Sequence, residues 1–268
     1  MNTDSPPSVA TTLDGRSIVV TRPREQSLDL SASIKAAGGR AIQFPALTVV
    51  NAGDRRTLNA LIDRLDQFDF AIFVSPTAVN RAMSLIRARR ELPTGLRIAA
   101  IGKGSARELR RFDIGEVLTP EHRFDSEGLL ALAEFADLKG RSIVIFRGQG
   151  GRELLGNVLM ERGATIEYAE CYRRVRPTGD GSVLLKAWAR GEIDAITVTS
   201  AESLRNLFEM IGTLGRPFLR KTPLFVPHQR IAELARELGI ATVVVTASGD
   251  AEMLAGIIRY FCGPHPSQ

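Results

Sequence analysis

Gly140–Val175, GRSIVIFRGQGGRELLGNVLMERGATIEYAECYRRV, reads as a second copy of Gly15–Val50, GRSIVVTRPREQSLDLSASIKAAGGRAIQFPALTVV. In each, Gly-Arg-Ser opens an apolar, β-branched run. A basic loop follows, an amphipathic helix ends in glycine, and a second extended stretch closes the unit. Ser17 matches Ser142, an offset of 142 − 17 = 125 residues, and Ser75 with Ser200 and Leu109 with Leu234 keep it. The duplication is therefore global, and a repeat of this length decides the architecture before single elements are assigned.

Working outward, Ser17 to Thr21 and Asp69 to Val74 are short apolar runs suited to buried strands. Leu30, Ile34 and Ala37 recur at helical spacing, with Gly38-Gly39 as the stop. Ser75-Pro76-Thr77 is a hydroxyl cap followed by proline at the first helical position, and Thr199-Ser200-Ala201 takes its place in the second copy. Strands at Arg97 to Ile101, Asp194 to Val198, Leu224 to Val226 and Thr242 to Thr246 alternate with further helices. This pattern predicts an α/β protein with parallel sheets covered on both faces, about five strands in each half. Residues alone place two tandem domains with a cut near Leu138.

Composition limits the function classes. The chain has 268 residues, 44% hydrophobic, and 35 basic against 30 acidic side chains. A net charge of +5 suits an acidic ligand but is too balanced for a dedicated nucleic-acid binder. Cys171 and Cys262 are the only cysteines and lie far apart, which predicts neither a disulfide framework nor a CxxC site, and points to a reduced, cytoplasmic setting. Met1 to Thr12 reads as a polar tail rather than a secretory signal, and Gly263 to Gln268 as a frayed end. No apolar run approaches the roughly 20 residues of a membrane span.

The notable loops all fall where strands end and helices begin, the place at which parallel sheets bind ligands through outward N–H groups. They are Arg22-Pro23-Arg24, Ser75 to Thr77, Gly102-Lys103-Gly104-Ser105, Arg147 to Arg152, Thr199 to Ala201, Pro227-His228-Gln229-Arg230 and Ser248 to Asp250. Such loops offer anion binding by amides, hydroxyls and a few bases rather than proton transfer between paired carboxylates. Gly102 to Ser105 lacks the P-loop spacing, and Glu153 stands where the dinucleotide fingerprint of Gly148 to Glu153 needs its third glycine, so both read as tight turns. His122, His228 and His265 never reach metal-ligand spacing. Ser75 and Ser200 read first as helix caps, and Arg22, Arg147 and Arg152 as surface bases or carboxylate partners.

Several motifs in order carry a resemblance. They are Val20-Thr21-Arg22-Pro23, Phe73 to Val79, Ile101 to Ala106, Arg147-Gly148 with Gly150-Gly151-Arg152, Cys171-Tyr172-Arg173-Arg174, Thr199-Ser200-Ala201 and Val226 to Gly239. The chain resembles the uroporphyrinogen-III synthase family over nearly its whole folded length. The resemblance implies two flavodoxin-like parallel-sheet domains joined by two extended crossings. One domain is discontinuous, residues 1–46 plus 174–268, and the other is 50–171, with linkers near 45–50 and 171–175. It implies a lyase of tetrapyrrole biosynthesis that converts linear hydroxymethylbilane to uroporphyrinogen III with loss of water and inversion of ring D. It further implies no cofactor or metal, a monomer, no nucleic acid or membrane partner, and a transient contact with the preceding pathway enzyme.

Residue by residue, Tyr172 matches the family's tyrosine and is the candidate catalytic acid; its other reading is packing. Substrate-binding candidates are Arg22, Ser75, Lys103, Gly104, Ser105, Arg147, Arg152, Ser200, His228 and Gln229. The departure lies at Pro227 to Arg230, where relatives often carry glycine and small hydroxyl residues. A two-lobed, non-catalytic binding or regulatory protein for an acidic small molecule stays open as the alternative.

Overall fold

A computed structural model describes residues 12–150 and 153–263. The tail reading of Met1 to Thr12 and the frayed-end reading of Gly263 to Gln268 fall almost wholly outside the described residues, and Arg152 falls outside them as well. In chain order the elements are β1 (Ser17–Val20), α1 (Leu28–Ala36), β2 (Arg40–Gln43), β3 (Thr48–Asn51), α2 (Arg55–Asp63), β4 (Phe70–Phe73), α3 (Pro76–Arg87) and β5 (Arg97–Ala100). Then come α4 (Lys103–Arg111), α5 (Ser126–Leu130), β6 (Ser142–Gly148), α6 (Leu154–Glu161), β7 (Thr165–Val175), α7 (Ser182–Ala189) and β8 (Ala195–Thr197). The chain closes with α8 (Ala201–Met210), α9 (Gly212–Lys221), β9 (Leu224–Val226), α10 (Gln229–Glu237), β10 (Val243–Val245) and α11 (Asp250–Cys262).

The strands form two five-stranded sheets, ordered β10-β9-β8-β1-β2 and β3-β7-β6-β4-β5. Shifting by the repeat offset superposes β1 on β6, β2 on β7, β8 on β4 and β9 on β5, so four strands run in the same order in both sheets, and β3 is added beside β7 in the second. The counterpart of β10 is reduced to a single parallel bridge between Ala99 and Leu118. The chain divides into two compact units, Met1–Thr48 with Val175–Gln268, and Val49–Arg174. The opening segment of each copy therefore completes a sheet with the remainder of the other copy, not with its own.

Alternation along each strand explains the layers. Phe70 and Ile72 of β4 face one core with Phe135, Ile143 and Leu159, while Ala71 and Phe73 face another with Val79, Met83 and Phe146. Likewise Ile18 and Val20 pack with Phe225 and Ile257, and Val19 packs with Ile196, Leu204 and Leu224. Both faces are covered, which is why these strands are apolar at nearly every position. Helix starts follow their caps. Asp54 accepts from the Arg56 and Thr57 amides at 3.0 Å each to begin α2, and Ser75 and Ser200 cap α3 and α8 from extended backbone.

Two elements run against local preference. Helix α9 contains Gly212, Gly215 and Pro217, residues that each disfavour a helix interior. Burial of Leu219 and the seating of Gly215 against Ile211, where a Cβ would come within 2.6 Å, hold it in place. Strand β7 runs unbroken for 11 residues through Val175, so the stretch from Cys171 onward is part of a sheet.

Candidate active site

The carboxyl end of the second sheet holds a cavity of about 390 Å³. Val74 and Ser75 after β4, Ile101 after β5, Arg147 to Gly150 at the end of β6 and just beyond it, and Tyr168, Tyr172 and Arg174 of β7 line it, with Phe124 to Ser126 at the start of α5. A second cavity of about 300 Å³ shares Arg147, Gln149 and Tyr168 with it and adds Glu170 and the first turn of α2.

Its floor is a pair of hydroxyls. The Ser75 Oγ lies 3.2 Å from the Tyr172 Oη and at the same time accepts from the Ala78 amide at 3.1 Å. The cap that starts α3 thus also meets the tyrosine. Tyr172 is only 3% exposed, and its ring lies across Gly148, its partner on β6. One extra residue on β7, Cys171, sets this register, in the manner of a bulge that re-aims a side chain. The Cys171 thiol donates to the Ala169 carbonyl at 3.2 Å, and burial pushes its pKa up to about 12. It is no nucleophile.

The basic side of the cavity is Arg147, whose guanidinium stacks 3.8 Å from the Tyr168 ring centroid and lies 3.5 Å from Glu170. Stacking holds a planar cation in one orientation. Gly156 makes room for Tyr168, because a Cβ there would fall 1.9 Å from the tyrosine hydroxyl. The one carboxylate of the lining, Asp125, caps α5 through the Gly128 amide at 2.8 Å and pairs with Arg123. These bonds, the amide first, hold its pKa below the ordinary aspartate value, so it stays ionised and occupied. The site offers hydroxyls, amides and a stacked arginine, and no spare carboxylate pair.

The remaining candidates are placed as follows. Lys103 lies over the Phe124 ring, 4.6 Å from its centroid, outside the cavity lining. Gly104 packs beside Pro76, and Ser105 is buried in the first turn of α4. Arg22, Ser200, His228 and Gln229 stand at the carboxyl end of the first sheet. Arg22 is ion-paired with Asp250 at the start of α11. Ser200 accepts from the Ser203 amide at 3.0 Å. His228 Nε2 lies 3.4 Å from the Ser248 Oγ, and Gln229 opens α10 without a side-chain cap before it. Sequence reasoning passed over Tyr168, Arg174, Phe124 and the roles of Gly148 and Gly156. The gathering of Tyr168, Glu170, Tyr172 and Arg174 in one strand was the available signal, although the shift at Cys171 takes Tyr172 off the face that Tyr168 occupies. Among the described residues no group of three or more His, Cys, Asp or Glu side chains could hold a metal ion, and no helix is long and apolar enough to cross a membrane.

Two parallel sheets that share a four-strand order, with hydroxyl-capped helices at their carboxyl ends, define a duplicated, flavodoxin-like α/β protein. Residues 29–255 match the family model described as uroporphyrinogen-III synthase HemD. The uroporphyrinogen-III synthase of Salmonella typhimurium is 34% identical over 240 residues, covering 89% of this chain and 98% of that protein. That of Escherichia coli is 33% identical with the same coverage. The chain belongs to the uroporphyrinogen-III synthase family. A crystal structure of a mutant uroporphyrinogen III synthase from Thermus thermophilus shares the fold, with a TM-score of 0.59 at 21% identity over 91% of this chain and 98% of that one.

Proposed function

We propose that this protein catalyses the dehydrating cyclisation of hydroxymethylbilane to uroporphyrinogen III, with Tyr172 as the proton donor to the departing hydroxyl. The observation that carries the reading is the Tyr172–Ser75 hydroxyl pair at the floor of a cavity with a stacked arginine on its wall. In the proposed step the pyrrole nitrogen's electron pair expels the terminal hydroxyl, and the C–O bond breaks as the tyrosine proton makes the leaving group water. Ring D then inverts through a spiro intermediate. A pyrrole carbon loses a proton as the macrocycle closes, and that proton restores the tyrosine. A positioned acid of this kind contributes roughly 10²- to 10⁴-fold, and holding a flexible chain in one geometry supplies much of the rest.

Substrate carboxylates are assigned to Arg147 and, through side chains and helix-start amides, to Ser75, Lys103, Gly104, Ser105, Arg22, Ser200, His228 and Gln229. The domains are taken to be the two compact units, with boundaries at residues 48–49 and 174–175. Incubation with hydroxymethylbilane followed by separation of product isomers tests the reaction. Accumulation of the type III isomer is expected; type I alone at high protein concentration overturns the reading.

A further inference from the structure

We propose that Gly148 is a positioning residue for the Tyr172 hydroxyl: its missing side chain is the space in which the tyrosine ring lies. This rests on the reading of Tyr172 as proton donor. Strand β6 ends on Gly148, and the register shift between Arg147 and Gly148 skips Cys171 and brings Tyr172 opposite Gly148. A Cβ built on Gly148 would stand 2.6 Å from both the Cε2 and Cζ atoms of Tyr172 and 3.0 Å from its hydroxyl. The backbone of Gly148 has no left-handed φ, so conformation does not demand glycine here; the ring does. Glycine in a strand marks the close approach of another group. The Gln149 amide donates to the Tyr172 carbonyl at 2.8 Å, which ties the two strands at this point and leaves the ring as the part that yields.

Adding one methyl group at position 148 therefore displaces the ring end and takes the hydroxyl off Ser75, while the cavity walls and the arginine stay. The consequence is a loss in the chemical step rather than in binding. A misplacement of about 1 Å costs on the order of a hundredfold when geometry carries the reaction.

The chain has three tyrosines, so protein labelled with ¹³C at tyrosine Cζ gives three resonances, and Tyr172→Phe identifies one of them. In Gly148→Ala the Tyr172 resonance is expected to shift while that of Tyr260 stays. The value of kcat is expected to fall about tenfold to a hundredfold with KM changed less than about twofold. In the Tyr172→Phe background the same substitution should add less than about a twofold loss, because non-additivity marks two residues acting through one contact. An unmoved Tyr172 resonance, or an equal loss in both backgrounds, overturns the proposal. If Tyr172→Phe retains full turnover, the proton-donor reading fails on its own, and the resonance shift still decides the positioning. Should Gly148→Ala not fold, Gly148→Ala with Tyr172→Leu removes the ring atoms. Recovery of the fold supports the assigned contact, and continued unfolding overturns it.

Discussion

Asp69 and Asp194, 125 positions apart, make the same pair of bonds with each other's copy of the repeat. Asp194 accepts from the Ser17 amide at 2.8 Å and from Arg16 Nη1 at 2.7 Å. Asp69 accepts from the Ser142 amide at 2.8 Å and from Arg141 Nη1 at 2.7 Å. In a tandem arrangement Asp69 would meet Arg16, which belongs to its own copy. Each aspartate instead ties the start of one opening segment to the strand that precedes the other copy's capped helix, so the exchange is written in two matching ion pairs.

Asp69→Asn should lower stability by about 1 kcal/mol at neutral pH, since a hydrogen bond from a charged partner at a part-exposed site is lost. The Ser142 amide, and then Arg141, hold the Asp69 pKa below the ordinary aspartate value. A carboxyl with a lowered folded pKa stabilises the protein above its unfolded pKa and stops doing so as pH falls through the folded one. Urea midpoints measured as a function of pH should therefore converge for the two proteins below about pH 4. Parallel curves down to the acid limit would show that the pair contributes nothing.

Tyr172→Phe is expected to reduce kcat about a hundredfold with the circular dichroism spectrum unchanged, the loss typical of a removed general acid. Only the hydroxyl is deleted, and the ring stays buried in its core cluster. Turnover equal to that of the parent would return Tyr172 to a packing role.

Ser75→Ala and Ser200→Ala remove equivalent caps, from α3 and α8, and each should cost about 1 kcal/mol in urea unfolding. Their kinetics should differ. Ser75 alone meets a tyrosine hydroxyl, so Ser75→Ala should lower kcat as well, whereas Ser200→Ala should move KM and leave kcat.

Arg147→Lys keeps the charge and gives up the planar face stacked on Tyr168. Since an ammonium cannot replace a stacked guanidinium, KM should rise about tenfold, which is about 1.4 kcal/mol, with kcat within about threefold. A steady-state comparison at one pH decides it, and an unchanged KM would remove Arg147 from substrate binding.

Thiol titration of the native protein at pH 8 should report Cys262 alone, with Cys171 reacting only in denaturant. The buried Cys171 thiol, pushed up to about 12, carries almost no thiolate there. Rapid reaction of two thiols in the folded state would contradict its placement.

The α/β class, the duplication and the place of the candidate loops at strands' carboxyl ends were legible because they follow from local signals. These are two-residue alternation filled on both faces, hydroxyls before helices, and glycine after them. Helix α9 was not legible, since Gly212, Gly215 and Pro217 speak against a helix and only the burial of Leu219 with the seat against Ile211 overrides them. At the site, Tyr172, Ser75 and Arg147 stood out by residue type and by resemblance. Tyr168 and the two glycines did not. Tyr168 stands where Gly156 of α6 leaves room for it, and Gly148 matters because a bulge at Cys171 brings Tyr172 opposite it, contacts that sequence spacing does not show.

By itself the sequence determined the repeat, the element types and the chemical inventory of hydroxyls, amides and arginines, because each of these depends on neighbours a few positions away. Local residue patterns did not decide which opening segment completes which sheet; the exchange entered only through the family resemblance, and the assembled strand order carries it. Both copies begin Gly-Arg-Ser and both present the same aspartate partner, so local pairing energies are nearly equal for the tandem and exchanged arrangements. Only the assembled strand order, with Asp69 bound to Arg141 and Asp194 to Arg16, distinguishes them.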